Sequence, residues 1–443
     1  MEKEWSAMTW QEKREERFKR WLSPADVKFI SPEAEKAYKA KATRMIKAIK
    51  MEIPDRVPVH LPSGSIVAYN AGMTLQEALY DYEKLKPAWR KFLQDFDQDS
   101  ADGPGLFPGK VYEILDYKVN KWPGHGLPAD QSLHQFVEDE YMKADEYDLL
   151  IEDEFDFGLR HFLPRTWGVF EPFANVPSFS SYQGLPQRLM AMCQDPTFQK
   201  SFRAIWKASQ ENAKFQKVAA ECAQLSLEMG FPPLAGGMAL APFDTVADML
   251  RGTRGSVLDM YRQPEKLLEA LEVITQRNIE SAVNMASMSL GPMIFIPMHK
   301  GDDSFMSVKQ FEKFYWPTFR KLLLGLINEG CVPMMVIDGS YNDARLEIIK
   351  DLPRASVVWT MEKTDMSNAK KILGDSACIA GNVLASQLYT QTPQAIKEYC
   401  RKLIETCAPG GGYILSLGSG VDKCDPASLR AIIEAAKEYG VYS

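Results

Sequence analysis

Short apolar runs alternate with amphipathic segments along the second half of the chain. The runs have the length and residue types of buried strands: GPMIFIPM, VPMMVI, ASVVWT, ACIAGNV and GGYILSL. The segments between and after them show helical periodicity, and they cover residues 308–329, 344–351, 366–373, 393–407 and 426–439. Strands that alternate with helices at this spacing predict a parallel α/β fold.

The first half of the chain adds further strands and an N-terminal helical region. At least three more strands are predicted, beginning with RVPVHLPSG at 56–64, and a total of eight matches a (β/α)8 TIM barrel. A doubly wound sheet is disfavoured because the sequence has no glycine-rich phosphate fingerprint. Residues 1–50 are predicted to be helical, with Ser31 capping a helix that begins at Pro32. We therefore predict an N-terminal helical extension over 1–55 and a barrel over 56–443.

Polar residues follow two of the predicted strands directly. IFIPM stops at His299 and is followed by Asp302 and Asp303, and VPMMVI stops at Asp338. Successive parallel strands open on the same face, so these four side chains are predicted to share one pocket. The alternative is that they are ordinary polar loop residues.

Three other stretches are candidates for ligand contact. His60 ends the first predicted strand, where it could contact substrate or serve only as a packed histidine. Residues 102–135 are rich in Gly, Pro and Trp, which predicts an irregular segment that could act as a lid or substrate wall. Residues 165–186 mix aromatics, prolines and serines and could hold a flat aromatic ligand, or they could be ordinary core and loop.

Composition and charge narrow the class of protein. The formal net charge of −7 leaves no basic footprint for nucleic acid. No apolar run approaches the roughly 20 residues that span a bilayer, and the N-terminus lacks the apolar core of a signal peptide. The seven cysteines form no CxxC pair, which indicates reduced thiols. A cytoplasmic protein without a membrane or nucleic-acid partner is expected.

Two long segments carry a family resemblance. ILGDSACIAGNV with the helix and strand that follow it, and DDSFMSVKQFEKFYWPTFRKLLLGL, resemble the uroporphyrinogen decarboxylase superfamily. The likeness covers most of the chain from about residue 230 onward and continues more weakly to RVPV near residue 56. It implies a TIM barrel with its site at the carboxyl ends of the strands.

The superfamily has two main branches, and the sequence favours one of them. Porphyrinogen decarboxylases bind propionates through an arginine-rich loop, but here that loop reads PSGSIVAYNAG, without arginine. The chain more closely resembles the corrinoid methyltransferases, in particular the methyltransferase I component of anaerobic O-demethylases. That branch usually binds zinc with His-x-Cys at one strand end and the cysteine of GCG at a later one. Here the two places read Val336-Ile337-Asp338 and Gly418-Ser419-Gly420.

Loss of these ligands leaves two readings of the polar strand ends. His299, Asp303 and Asp338 could form a rebuilt zinc site, since all three are acceptable ligands. Alternatively the same residues act without metal as acid–base and binding groups.

The resemblance implies transfer of a methyl group from a small methoxylated substrate, above all an aryl methyl ether, to the cobalt of a corrinoid protein. His299, Asp303 and Asp338 are the predicted catalytic residues. The chain has no corrinoid-binding DxHxxG motif, so cobalamin would arrive on a separate corrinoid protein or as free cofactor. A homodimer is a candidate assembly. The alternatives are a decarboxylase or other lyase on the same barrel, and a non-catalytic ligand-binding barrel. The predicted substrate-binding residues are His60, Asp302, Tyr341, Asn342 and Arg345.

Overall fold

The computed structural model describes residues 3–176 and 184–442. The strands are β1 Val59–His60, β2 Asn120–Pro123, β3 Gly126–Leu127, β4 Gln135–Phe136, β5 Ala235–Met238, β6 Met293–Met298, β7 Val332–Ile337, β8 Val358–Met361, β9 Cys378–Gly381 and β10 Tyr413–Ser416. The first helices are α1 Trp10–Leu22, α2 Pro32–Ile49, α3 Ser65–Asn70, α4 Leu75–Tyr80, α5 Leu85–Asp95, α6 Gly109–Leu115, α7 Tyr147–Glu152, α8 Glu154–Phe157, α9 Leu163–Thr166, α10 Leu185–Gln194 and α11 Pro196–Glu228. The later helices are α12 Pro242–Asp244, α13 Gly252–Arg262, α14 Pro264–Met288, α15 Val308–Gln310, α16 Trp316–Asn328, α17 Asp343–Ile349, α18 Met366–Leu373, α19 Ala385–Thr390, α20 Pro393–Cys407 and α21 Pro426–Tyr439.

Seven parallel strands form the central sheet, in the order β1-β10-β9-β8-β7-β6-β5. Helices follow the strands and cover the outer face, as expected for a parallel sheet that is buried on both sides. The five strands predicted in the second half of the chain correspond to β6 through β10. The predicted TIM-barrel fold is confirmed.

An irregular segment occupies the eighth position, between the two edge strands β1 and β5. The amide of Asp99 donates to the carbonyl of Val59 in β1, and the amide of Ala101 donates to the carbonyl of Pro232, just before β5. The buried Asp99 carboxylate also accepts a hydrogen bond from the Val59 amide at 2.7 Å. This segment therefore closes the barrel without forming a regular strand.

The N-terminal helices α1 and α2 close the amino-terminal end of the barrel. Trp21 and Tyr38 lie in one apolar cluster with Val332, Val358 and Ile414, which belong to the strands. The predicted Ser31 cap is confirmed, because its hydroxyl accepts from the Ala34 amide at 3.2 Å. The division of the chain at residues 55 and 56 stays a prediction.

The segment 102–135 is more regular than its composition predicts. It contains α6 and the strand β2, which pairs with β3 and with β4 in a small three-stranded sheet. The fully buried Trp122 ring stacks on His125 with the ring centroids 4.3 Å apart. Tertiary packing of aromatic rings thus orders a stretch that glycine and proline alone would leave irregular.

The aromatic stretch 165–186 is only partly described, since residues 177–183 lie outside the described residues. In the described part, Phe173 packs against Phe198 and Phe202 of α11. Its best-defined ring therefore serves packing between helices. Across residues 3–176 and 184–442, no helix is long and apolar enough to cross a membrane.

Candidate functional site

The carboxyl ends of the parallel strands bring the site residues to one face of the barrel. His60 ends β1, His299 follows β6, Asp338 follows β7 and Glu362 follows β8. Because the strands are parallel and in register, these positions lie on the same rim. Of the four residues predicted to share one pocket, Asp338 lines the inner cavity, and His299 lies on the same rim beside it.

Two adjoining cavities open from this rim. The inner cavity, of 270 Å³, lies inside the barrel, and its polar wall includes His60, Asp338, Thr360 and Ser419. The outer cavity, of 1060 Å³, runs from the rim past the gap between β1 and β5. His60, Pro62, Phe295, Met334 and Gly420 line both cavities. The inner cavity therefore connects to solvent through the outer one.

Strand residues beneath the rim give the inner cavity an apolar floor. Met334, Ala380 and Ile414 line this cavity and also belong to the cluster that α1 and α2 cover. The N-terminal helices thus cover the apolar floor of the cavity from below.

His299 lies between two carboxylates. Its Nδ1 is 2.6 Å from Oδ2 of Asp248, and its Nε2 is 3.5 Å from Oδ2 of Asp338. Asp338 lines the inner cavity and His299 does not, so Asp338 is the member of the pair that a ligand in this cavity would contact. We call Asp248, His299 and Asp338 the relay: His299 is hydrogen-bonded to Asp248 and lies within ion-pair distance of Asp338 on the cavity wall.

A buried carboxylate fixes the backbone beneath this relay. The two oxygens of Asp244 accept from the backbone amides of His299 and Lys300, at 2.9 and 3.0 Å. The hydroxyl of Tyr315 donates to the same carboxylate at 2.8 Å. Burial, aided by the nearby Asp248 charge, raises the pKa of Asp244 to about 6.

The pKa values of His299 and Asp338 are both raised, each for its own physical cause. The hydrogen bond that Nδ1 of His299 donates to the Asp248 carboxylate raises the pKa of His299 above its ordinary value. Burial raises the pKa of Asp338, with a further contribution from Glu362, while His299 opposes this shift. A histidine that prefers to be protonated thus faces a carboxylate whose ionisation is disfavoured, and the arrangement can donate a proton into the cavity.

His60 has a different environment. Its Nδ1 is 2.8 Å from the hydroxyl of Ser100, and burial lowers the pKa of its imidazole. A neutral His60 with one nitrogen held by Ser100 can present its other nitrogen to a ligand as donor or acceptor, according to its tautomer. His60 lines both cavities, and its role in substrate binding stays a prediction.

Asp303 lies in a different network from the relay. Its carboxylate pairs with the guanidinium of Arg345 and accepts from Nδ2 of Asn342 at 2.8 Å. Arg345, only 1% exposed, also donates to the carbonyl of Met306. Against the prediction, these side chains hold the loop after β6 to the start of α17 and do not join His299 at the cavity wall.

Asp302 and Tyr341 also serve the packing of these loops. Asp302 accepts from the Ser304 hydroxyl at 2.8 Å and from the Phe305 amide at 3.0 Å. Tyr341 is buried, with its ring edge-on to Phe311 at a centroid distance of 5.7 Å. Their predicted roles in substrate binding stay predictions, and the contacts described here tie both side chains into the loops.

The predicted zinc ligands do not come together. Nδ1 of His299 is engaged by Asp248, and Asp303 is engaged by Arg345. The usual zinc ligands of the resembling methyltransferases correspond to Val336, Asp338 and Ser419, which all line the inner cavity. Of these three side chains, only the carboxylate of Asp338 is a strong zinc ligand. In the described part of the chain, no group of three or more His, Cys, Asp or Glu side chains is placed to hold a metal ion. The residues present therefore do not fit zinc.

Asp244, Asp248, Tyr315 and Glu362 are site residues that sequence reasoning missed. Asp244 and Asp248 follow β5 and are spaced four residues apart, a separation that puts side chains on one face of a helical turn. Two acidic residues at this spacing after a strand were the sequence signal that could have identified Asp244 and Asp248 as site residues.

Asp244→Ala is expected to lower the free energy of unfolding by about 2–4 kcal/mol, because three buried donors lose their acceptor. Denaturant unfolding measures the change. Asp148→Ala provides the control, since its exposed pair with Lys266 is expected to contribute at most about 1 kcal/mol. Equal effects of the two substitutions would contradict the structural role of Asp244.

Sequence comparison identifies relatives over the C-terminal part of the chain. Residues 192–439 match the family model described as Uroporphyrinogen decarboxylase (URO-D). A uroporphyrinogen decarboxylase of Chromohalobacter salexigens is 26% identical over 46% of this chain and 58% of its own length. A uroporphyrinogen decarboxylase of Idiomarina loihiensis is 26% identical over 41% of this chain and 50% of its own length. The chain thus spans about half the length of the curated relatives it matches.

A solved structure extends the likeness to nearly the whole chain. A methyltransferase from Methanosarcina mazei superposes with a TM-score of 0.60 over 90% of this chain and 98% of its own, at 17% sequence identity. At this identity the likeness concerns the fold.

Proposed function

We propose that this chain, which belongs to the uroporphyrinogen decarboxylase family, is a methyltransferase. In this proposal it takes the methyl group of a small methoxylated molecule, an aryl methyl ether, and passes it to the cobalt of a separate corrinoid protein. The observation that carries the proposal is the Asp338–His299–Asp248 relay, which ends at the inner cavity in the place where the resembling methyltransferases hold zinc.

The chemistry of an ether explains why an acid suits this place. When the methyl–oxygen bond breaks, its electron pair stays on the oxygen, which leaves as a poorly stabilised phenolate. A phenol has a pKa of about 10, so a proton delivered to that oxygen lowers the barrier by general acid catalysis. In the proposal Asp338 delivers the proton to the ether oxygen, His299 replaces it on Asp338, and Asp248 holds the imidazole in position.

The methyl acceptor lies outside this chain. A cob(I) corrinoid supplies the electron pair of the new carbon–cobalt bond, so the barrel need not provide a nucleophile. The outer cavity, which shares His60, Met334 and Gly420 with the inner one, is the proposed approach for a corrinoid carried by a partner. In the proposal, this chain's residues hold the ether and place the proton.

A decarboxylase on the same barrel is the principal alternative, because the curated relatives carry that name. The loop where decarboxylases bind propionates contains no arginine in this chain, and its residues 62–65 line the outer cavity without a positive charge. The test incubates the protein with cob(I)alamin and a panel of aryl methyl ethers, and separately with a porphyrinogen. Methylcobalamin formation supports the proposal, whereas carbon dioxide release from the porphyrinogen, without methyl transfer, would establish the alternative.

The rate of methyl transfer is expected to fall as pH rises through the pKa of His299. That pKa is raised by Asp248, so the falling limb lies above the ordinary histidine value of about 6.5. Asp248→Asn removes the stabilising charge and is expected to move the limb to lower pH. Profiles of kcat/KM against pH for both proteins measure the shift, and an unmoved limb would contradict the relay.

Treatment with a zinc chelator followed by gel filtration is expected to leave methyl transfer unchanged, because the residues at the cavity do not provide a zinc ligand set. Metal analysis before and after treatment accompanies the assay. Loss of activity that is restored by added zinc would show that ligands are recruited by rearrangement of the site.

A further inference from the structure

We propose that the substrate carries no negative charge, so that neutral methoxyarenes are bound and carboxylated ones are excluded. This inference rests on the proposed function, because it names the class of ether that the same site accepts. It is carried by the distribution of charge over the walls of the two cavities.

The described walls of both cavities contain carboxylates but neither lysine nor arginine. Asp338 lines the inner cavity, and Asp102 and Asp422 line the outer one. Asp422 accepts from the hydroxyls of Ser65 and Ser132, each at 3.1 Å. A ligand carboxylate in either cavity would meet acidic side chains and no lysine or arginine in the described walls to pair with.

Lysines that adjoin these walls in sequence have other partners. Lys423, next to Asp422, lies 3.7 Å from Asp130 and 5.0 Å from the ring of Tyr69. Lys300, next to His299, lies 3.3 Å from Asp248. Lys363 lies 3.7 Å from Glu362, with its side chain largely exposed. Each of these ammonium groups is thus engaged by a carboxylate outside the cavity linings.

The inner cavity has the size and surface for one substituted aromatic ring. An apolar cavity of about 150 Å³ already holds benzene, and the inner cavity measures 270 Å³. Phe295, Pro297, Val336 and Leu417 provide its apolar wall, and His60 and Thr360 provide neutral polar groups for a phenol or alcohol. Burial of an unpaired charge is costly, so this lining selects against an anion more strongly than it selects among neutral rings.

The test compares vanillyl alcohol with vanillate, which share the ring and the methoxyl group but differ in charge. Titration calorimetry on the full chain, without corrinoid, measures binding to each. We expect vanillyl alcohol to bind at least about tenfold more tightly, as a charge without a partner costs more than 1.4 kcal/mol on burial. Equal or tighter binding of vanillate, or binding of neither, would overturn the proposal.

A charge-insertion variant tests the same proposal in the opposite direction. Met238, 51% exposed, lies on the wall of the outer cavity, and Met190, 57% exposed, lies on α10 and lines neither cavity. Met238→Lys is expected to narrow the preference for vanillyl alcohol over vanillate severalfold, whereas Met190→Lys leaves it unchanged. An identical response of both variants would contradict the assignment to the cavity wall.

Binding and turnover separate this inference from the proposed function. If vanillyl alcohol is bound selectively but no methylcobalamin forms, the charge selectivity stands and methyl transfer fails. If methyl transfer occurs with vanillate at least as well as with vanillyl alcohol, the proposed function stands and the inference fails.

Discussion

Replacement of Asp338 with asparagine is expected to slow methyl transfer by about 10²–10³-fold, the usual contribution of a positioned general acid. Asp338 is the member of the relay that lines the inner cavity, and its oxygen lies 3.5 Å from Nε2 of His299. An asparagine of the same shape keeps the cavity wall but cannot carry the proton. The loss should fall on kcat, with KM for a neutral ether little changed.

The control is Asp375→Asn, an exposed carboxylate in the turn before β9, at the opposite end of the barrel. It is expected to keep full activity. His299→Ala should slow transfer by a similar factor to Asp338→Asn, and the double variant should be little slower than either single one, because the two residues act as a unit. If the fold-loss in rate of the double variant equalled the product of the two single losses, the two residues would act independently. That result would contradict a shared proton.

Arg345→Met is expected to lower the free energy of unfolding by about 3 kcal/mol or more. Arg345 lies in the first turn of α17. The guanidinium is buried, pairs with Asp303 and donates to the carbonyl of Met306. Its removal takes the cationic partner from the Asp303 carboxylate, which keeps the Asn342 amide, and takes the guanidinium donor from the Met306 carbonyl. Denaturant unfolding measures the loss as a lower midpoint.

Arg320→Met is the matched control, because Arg320 pairs with Asp351 at 2.9 Å on an exposed surface. Such a pair contributes at most about 1 kcal/mol. If Arg345→Met instead left stability unchanged and reduced only substrate affinity, the sequence-based assignment of Arg345 to substrate binding would be restored.

The strand–helix alternation predicted the C-terminal half of the barrel closely. The predicted helices 366–373, 393–407 and 426–439 match α18, α20 and α21. Apolar periodicity and an N-cap agree in all three, and α20 and α21 also begin with a proline. The closing segment around Asp99 was not predictable. Its mostly polar sequence, FDQDSAD, contains no apolar run, and its role depends on contacts to β1 and to the residues just before β5.

The site was predicted only in part, for the same physical reason. His299 and Asp338 follow strands that are neighbours in a parallel sheet, so topology alone brings them together. Asp248 reaches His299 from a helical segment after β5, and Asp303 turns towards Arg345, and both outcomes depend on how the loops fold. Strand ends are fixed by the sheet, whereas loop side chains are fixed by tertiary contacts that the local sequence does not contain.

The most direct measurement follows the methyl group itself. The protein is incubated with cob(I)alamin and vanillyl alcohol that carries a deuterated methoxyl group, and the cobalamin product is analysed by mass spectrometry. The proposed function predicts trideuteromethylcobalamin and the demethylated catechol in equal amounts, with Asp338→Asn forming both about 10²–10³-fold more slowly. Absence of the labelled methyl group from cobalt, under conditions in which the wild-type protein binds the ether, would contradict methyl transfer.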